Sequence, residues 1–409
     1  MTARLTRDRP TWLLYLQLGV FATYLYGLSA ALPMLRIEQG VSQTVAGLHG
    51  TMMAIGGVTT GLALPWLIRR IGRRAATWTG LAGMNAGVLL VVLGDALPVT
   101  LLGYGLAGGM GAISLYTGMS VLSDHHGPAG PSAISEANAV GGTIGIGAPF
   151  FVSLAAQSAL GWRAALLVTP LMTVLLALAL GRVWIPAQNG SERDGSGQDD
   201  SGREDAERED AKAGTTPGSG DGGDRLRLGW RFHLAGAVLF CCVALEFSFN
   251  LWAAKLVTDR TGLSAAVAAT ALTAFTAGLV IGRFGGARLA LRVPASSLLL
   301  GALALTSAGW LVFWTSTTPV LSYAGLVLSG AGVSLHFPLA LSRVLTAAGG
   351  RPGRAAKATA VASLYASAAT GVGPFLLGAL ADAFGTQQAF LMVPVMIGLA
   401  VCGILVSSR

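Results

Sequence analysis

One carboxyl group, that of Glu246, lies in the middle of a long apolar stretch of this 409-residue chain. An ionised carboxylate is costly inside a bilayer, so an acid at this position indicates a functional or structural role. Desolvation favours the neutral form of an acid, so Glu246 is expected to hold a proton near neutral pH and to release it on contact with water or a cation. This setting predicts proton exchange. The alternative is a carboxyl kept neutral by a structural hydrogen bond from Tyr24.

Other polar residues are expected near the same depth. Cys242, Glu246 and Asn250 are spaced four apart and therefore share one helix face. No predicted membrane segment carries an Arg or Lys at mid-depth, which argues against an anion carrier.

Several chemistries are excluded by what the sequence lacks. Lysine occurs only at positions 212, 255 and 357, and none lies in a GxxxxGK[ST] motif that would bind ATP. No HExxH or GxSxG motif is present, and the adjacent His125 and His126 have no further ligands nearby to make a metal site. We therefore expect no enzyme, no metal and no cofactor. A proton gradient is the expected energy source.

The composition predicts the elements that position these residues. The chain is 53% hydrophobic and 11% charged, whereas a soluble domain carries about 25% charged residues. Segments of about 20 apolar residues, the length that crosses a bilayer, occur twelve times. These predicted spans are 12–35, 44–68, 75–95, 98–122, 133–158, 163–185, 231–256, 263–283, 295–315, 319–342, 358–381 and 387–407. The predicted fold class is an all-α membrane protein.

The basic residues predict the orientation of the spans. All but four of the 27 lie at the termini or in the loops on the same side as the termini, and the exceptions are Arg36, Arg163, Lys255 and Arg260. The positive-inside rule then places both termini in the cytoplasm. Basic residues at helix ends also give no reason to expect a nucleic-acid partner. The bias of Arg over Lys favours a bacterial inner membrane.

A polar segment divides the spans into two groups of six. Residues 186–229 are rich in Gly, Ser and acids and contain no aromatic residue before Trp230, which predicts a flexible cytoplasmic linker. The two halves, 1–185 and 230–409, repeat each other: Gly40-Val41-Ser42 matches Gly262-Leu263-Ser264 at an offset of about 222 positions. Repeated six-helix bundles are typical of transporters, whose binding sites lie near the midplane between the halves.

The twelve spans in two halves and the basic turn Arg69-Arg70-Ile71-Gly72-Arg73-Arg74 resemble the major facilitator superfamily. The family's motif between spans 2 and 3 reads G-x-L-x-D-R-x-G-R-R, and Arg69 occupies its acidic position here. Span 10 is similar to that of fucose-permease-like bacterial members. The resemblance implies two pseudo-symmetric six-helix bundles, a cytoplasmic gate, and a cavity lined by spans 1, 4, 7 and 10. The candidate pathway for substrate and proton that it implies comprises Gln17, Tyr24, Tyr116, Glu246, Asn250 and His336. The gate residues that it implies, together with nearby charges, are Arg69, Arg70, Gly72, Arg73, Glu136 and Arg292.

The predicted function is secondary transport of a small organic molecule by alternating access, in a monomer surrounded by the lipid bilayer. Proton-coupled efflux of a lipophilic or cationic compound is preferred, because Glu246 supplies a negative partner and few amides are present to hydrogen-bond a sugar. The alternatives are proton-coupled uptake of a neutral metabolite or sugar, and a membrane receptor or scaffold without transport activity. Asp382 is expected at a solvated helix end.

Overall fold

The computed structural model describes residues 6–184, 229–289, 292–348 and 352–407, and these are almost entirely helical. The predicted linker, 186–229, lies outside the described residues except for Gly229. The helices of the first half are Arg9–Gln39 (span 1), Gln43–Leu93 (spans 2 and 3), Leu97–His126 (span 4), Gly130–Gly145 with Gly147–Ala156 (span 5), and Gly161–Leu166 with Val168–Leu180 (span 6). Those of the second half are Trp230–Thr261 (span 7), Ala265–Ala268 with Ala271–Leu289 (span 8), Ala295–Thr315 (span 9), Pro319–Val333 with His336–Ala348 (span 10), Pro352–Phe384 (span 11), and Thr386–Ala389 with Met392–Ser407 (span 12).

The repeated sequence forms the same turn in both halves. Gly40 ends span 1 with φ 63°, and Gly262 ends span 7 with φ 73°. This left-handed conformation favours glycine because a Cβ would be strained. Two residues later, Ser42 and Ser264 accept hydrogen bonds from the backbone N–H groups three residues ahead and so begin spans 2 and 8. The repeat in the sequence is thus a repeat of helix-ending and helix-starting chemistry.

A single glycine separates spans 2 and 3. Gly72 has φ 79° and ψ 163°, which breaks the helix Gln43–Leu93 into two segments within the basic turn. With this break, eleven apolar helices in the described part of the chain provide twelve spans. The predicted fold class, an all-α membrane protein with twelve spans, is confirmed.

Spans 1 and 7 form the centre of the molecule, since most of their residues are buried, whereas span 6 is largely exposed at the periphery. Each bundle packs its helices closely through small residues. In the first half, a Cβ on Gly80 of span 3 would lie 2.7 Å from the backbone of Ser114 in span 4. Small residues allow such backbone approach between helices in a membrane.

Candidate functional site

Spans 2 and 11 meet where span 2 begins, at an end of the molecule that we call the Gln43 end. A Cβ on Gly47 would lie 3.1 Å from the Cα of Phe375, and one on Gly378 would lie 2.6 Å from the carbonyl oxygen of Gln43. Thr51 also donates a hydrogen bond to the carbonyl oxygen of Gly371 at 3.3 Å. The two bundles are therefore in direct backbone contact here, with room for no larger side chain.

Asp382 strengthens this contact by capping span 2 from the other bundle. Its carboxylate accepts hydrogen bonds from the backbone N–H groups of Gln43 and Thr44 at 2.8 and 2.6 Å, and from the Thr44 hydroxyl at 2.6 Å. A carboxylate is stabilised at a helix N-terminus by the unpaired N–H groups and the helix dipole. The expectation of a merely solvated helix end was wrong, because the partner comes from another helix of the sequence-distant half.

The opposite end, which holds the basic turn Arg69–Arg74 and which we call the basic end, is open between the same two spans. A Cβ on Gly57 or Gly61 of span 2 would meet nothing within 4 Å. Leu62 in span 2 and Leu364 in span 11 are exposed. Among the described residues, every hydrogen bond between the bundles lies toward the Gln43 end: Asp382 with Gln43 and Thr44, Gly371 with Thr51, Thr386 with Gln43, and Thr273 with Ile146.

Glu246 lies between these two ends, partly buried, on span 7. Its carboxylate is within electrostatic reach of the guanidinium of Arg283 on span 8. Both groups are also within electrostatic reach of the Tyr26 hydroxyl on span 1. Span 8 continues to Leu289, beyond the predicted end at residue 283, so Arg283 belongs to the helix. The sequence analysis, which found no Arg or Lys at mid-depth in the predicted spans, did not indicate that this cation lies near Glu246.

Two glycines of span 5 allow Arg283 and Tyr26 to pack closely against that span. A Cβ on Gly142 would lie 3.1 Å from Val280 and 3.7 Å from Nη1 of Arg283. A Cβ on Gly145 would lie 2.8 Å from the ring of Tyr26. Span 5 of the first bundle thus packs directly against both residues that surround Glu246, and its missing side chains allow them to approach.

Glu246 and Arg283 stand out by having no bonded partner. Among the partly buried Asp, Glu, Lys and Arg side chains that the structure describes, these two alone make no hydrogen bond and no ion pair within 4.0 Å. The others are all engaged: Asp8, Arg36, Glu136, Arg163, Lys255, Arg260 and Arg343. An unpaired buried charge is expensive, so two of opposite sign near each other indicate a place for a ligand.

The predicted amides are buried, each with an oxygen that lacks a partner. Gln17 on span 1 donates from Nε2 to the carbonyl oxygen and to Oγ of Ser114, both at 2.7 Å, while its Oε1 has no partner. Asn250, one turn beyond Glu246, leaves Oδ1 without a partner. Gln17 also lines a cleft with apolar residues of spans 1, 4 and 5, among them Phe21 and Met119. Acceptors without partners inside the protein are available to a ligand that can donate hydrogen bonds.

The structure places the remaining predicted pathway residues at other points of the bundles. Tyr24 is buried and is coupled electrostatically to Tyr116 of span 4, while Tyr26 is the tyrosine next to Glu246. Tyr116 is exposed. His336 is fully buried, and its Nε2 lies 3.2 Å from the Thr306 hydroxyl of span 9, which is a contact inside the second bundle. Their roles in a pathway stay predictions.

The predicted gate residues lie at the basic end, and the described contacts of Glu136 and Arg73 stay within the first bundle. Glu136 accepts two hydrogen bonds from Arg7, at 2.6 and 3.2 Å, so it does not pair with Arg69, Arg70 or Arg343. Arg73 pairs with Asp124 of span 4. Arg69 and Arg292 are exposed, and Arg70 lies over the ring of Trp66, at 5.5 Å from its centroid.

Three functional candidates escaped the sequence analysis: Arg283, Tyr26 and Asp382. Arg283 was counted as a loop residue because the apolar stretch ends there. Its position, nine residues before Arg292, carried no signal of its own. Asp382 could have been found only by knowing that spans 2 and 11 meet. Among the described residues, no group of three or more His, Cys, Asp or Glu side chains could hold a metal ion.

Comparisons with known proteins agree with this geometry. The sequence model of the Major Facilitator Superfamily matches residues 14–252 and 234–408. No curated protein matches the sequence. Structural similarity extends over the whole chain to several solved transporters.

A bacterial homolog of the human lysosomal transporter Spinster, in an inward-facing and occupied conformation, is 14% identical with a TM-score of 0.70, over 99% of this chain and 98% of the other. A variant of the nucleoside transporter NupG is 11% identical with a TM-score of 0.72, over 98% and 99%. The transporter FucP, in its outward conformation, is 18% identical with a TM-score of 0.62, over 98% and 99%. At these identities the likeness demonstrates the shared fold.

Proposed function

The chain belongs to the major facilitator superfamily, and on that premise we propose that it is a secondary transporter in which Glu246 carries the coupled proton. The observation that carries this proposal is the placement of Glu246, a partly buried acid between a sealed end and an open end, without a bonded partner. Such an acid gains and loses a proton as the solvent around it changes. Alternating access would expose it to each side of the membrane in turn.

The orientation of the chain follows from the positive-inside rule, which places the basic residues on the cytoplasmic side. The basic end then faces the cytoplasm, in a bacterial inner membrane, and the described conformation accepts cargo from the cytoplasm. We propose efflux of a partly apolar organic molecule. An apolar part of the cargo is proposed because Gln17 and Asn250 are the only amides among the candidate pathway residues, which leaves few partners for a strongly polar molecule.

Uptake of a neutral compound is the second candidate. It is favoured by one observation, the guanidinium of Arg283 near Glu246, which offsets the negative charge that a purely cationic cargo would need. A monomer is sufficient for either direction, because one chain supplies both bundles.

Proton coupling is tested in proteoliposomes with Glu246→Gln, which keeps the size of the side chain and removes its ionisation. The probes are tetraphenylphosphonium, as a lipophilic cation, and a panel of neutral metabolites and amino acids. In the wild type, a pH gradient should drive accumulation of a transported probe. In the variant, we expect accumulation to fall to the level without a gradient, while exchange of the probe between the two sides continues.

Asp259→Asn is the matched control, because Asp259 is an exposed acid on the same span whose partner is Lys255. It should leave gradient-driven transport unchanged. Gradient-driven transport that persists in Glu246→Gln contradicts the coupling role. Binding of a probe without exchange in any preparation favours the receptor alternative instead.

A further inference from the structure

We propose that Glu246 and Arg283 form one binding site for a zwitterionic cargo, with an ammonium group at Glu246 and a carboxylate or other anionic group at Arg283. The proposal rests on the proposed function in taking the space between the bundles as the path of the cargo. It narrows the cargo to a class that neither a lone acid nor a lone cation would select.

The first support is the state of the two charges. They are within electrostatic reach of each other and yet are separated by more than the 4.0 Å of an ion pair. Both lie partly buried within apolar membrane helices. Two opposite charges that could gain by pairing, and do not, leave a gap that a molecule with complementary charges can bridge.

The second support is electrostatic selection against other cargoes. A molecule with only a cationic group would bind Glu246 but would bring like charge toward Arg283. A molecule with only an anionic group would meet the opposite problem at Glu246. Repulsion of this kind discriminates against wrong partners as strongly as attraction favours the right one. A zwitterion satisfies both protein charges and adds no net charge to the membrane interior.

The third support is the wall of the site. Gly142 on span 5 allows Nη1 of Arg283 to lie against the backbone of that span, because even a Cβ at this position would be in contact with Nη1, at 3.7 Å. On the side of Glu246, Oδ1 of Asn250 is a further acceptor without a partner, one helical turn away on the same face. An ammonium group carries three donors and can use both acceptors. Tyr26 is the further titratable group within electrostatic reach of both charges.

The test uses the purified full-length protein and probes that differ only in their charges. Each of the twenty common amino acids is compared with its amine, which lacks the carboxylate, and with its acid, which lacks the amino group; phenylalanine, phenethylamine and 3-phenylpropionate are one such set. Binding is measured by the shift in melting temperature at increasing probe concentration, since a ligand of the folded state stabilises it by mass action. At least one amino acid should bind tenfold or more tightly than both of its single-charge relatives.

The variants reverse this preference in a defined way. Arg283→Gln should make the amine bind as well as or better than the amino acid, and Glu246→Gln should favour the acid. The double variant should lose the charge preference altogether. Gly142→Leu, which keeps both charges but places a large side chain against the guanidinium of Arg283, should weaken binding of the amino acid at least tenfold. Gly142→Leu therefore tests the site even where a charge variant does not fold.

The outcomes separate this proposal from the proposed function. A failure of every amino acid to stabilise the wild type overturns the zwitterion site, as does an amine that binds equally in wild type and Arg283→Gln. Proton-coupled transport through Glu246 could still hold in either case. Conversely, the expected binding pattern without exchange across proteoliposomes supports the site and contradicts transport.

Discussion

Spans 2 and 11 behave in opposite ways at their two ends. At the Gln43 end, glycines bring the two backbones into contact and Asp382 caps the start of span 2. At the basic end, Gly57 and Gly61 face open space. The sealed end is held by close packing of the two backbones and by one helix cap. No ion pair joins the bundles there among the described residues. A contact of this kind can be closed tightly and yet separate without leaving charges unpaired.

Apart from Asp382, the engaged charged residues of the two ends are alike. Outside the seal, the cations at the Gln43 end hold helix ends inside one bundle: Arg163 donates to the carbonyl oxygens of Val91, Val92 and Gly94, at 2.7 to 3.0 Å, and Arg260 donates to those of Thr315 and Ser316. The described ion pairs of the basic end likewise join residues of one bundle. Apart from Asp382 at the seal, these contacts therefore stay within one bundle, and they do not oppose rocking of the bundles as units.

The largest expected effect comes from one substitution made at each end. Gly378→Leu places a side chain where a Cβ already lies 2.6 Å from the carbonyl oxygen of Gln43, so the sealed end should be forced open. Gly61→Leu meets nothing within 4 Å in the described conformation and should instead oppose closure of the basic end. Both variants should lose transport at least tenfold. Distances between spin labels on spans 2 and 11 should shift in opposite directions.

Equal label distances in the two variants would contradict the comparison, because they would mean that the glycines serve packing alone. Gly57→Leu is a second substitution at the open end, and it should behave as Gly61→Leu does. Folding is checked by the melting temperature. Gly61→Leu should not lower it, since leucine favours a helix more than glycine does.

A smaller effect is expected from Asp382→Ala. Loss of a helix cap costs about 1–2 kcal/mol. Here the cap spans the two bundles, so this energy should appear as a shift of about 5–30-fold toward the conformation that is open at the Gln43 end. The same label distances measure the shift. Asp259→Ala, at the same end but paired within span 7, should cause none. A loss of overall stability without a shift would make Asp382 a structural residue only.

The smallest effect is expected from Asp8→Ala at the basic end, where the cap stays within one bundle. Burial opposes ionisation of Asp8, but hydrogen bonds from Thr11 and His125 outweigh it and lower the pKa of this carboxyl. A lowered pKa contributes stability above the usual pKa of aspartate, about 4, and the contribution is lost as the pH falls through the lowered value. The variant should therefore melt at a lower temperature at pH 7, by an amount that reflects at most about 1 kcal/mol.

The difference in melting temperature between Asp8→Ala and the wild type should narrow below about pH 4. Label distances between spans 2 and 11 should stay unchanged at pH 7. If they changed, the basic end would also be held by contacts that involve both bundles. Asp382 and Asp8 both cap a helix, Asp382 between the two bundles and Asp8 within one bundle. The two variants therefore measure the same kind of contact in the two places.

The sequence predicted the elements well because local patterns determine them. The apolar length of each span, the repeated turn at Gly40 and Gly262, and the break at Gly72 depend on residues close together in the chain. Glu246 was found for the same reason, since its apolar neighbours in sequence are enough to mark it. The end of span 8 was predicted too early, because a polar Arg283 looks like the end of an apolar run even where the helix continues.

What surrounds Glu246 was decided only by the tertiary structure. The sequence by itself determined a membrane protein of twelve spans, its internal repeat and one acid in the middle of span 7. The approach of Arg283 and Tyr26 to that acid, and of Asp382 to Gln43, depends on which helices pack together and at what depth. Charges act through space rather than along the chain, so their partners become known only when the helices are packed.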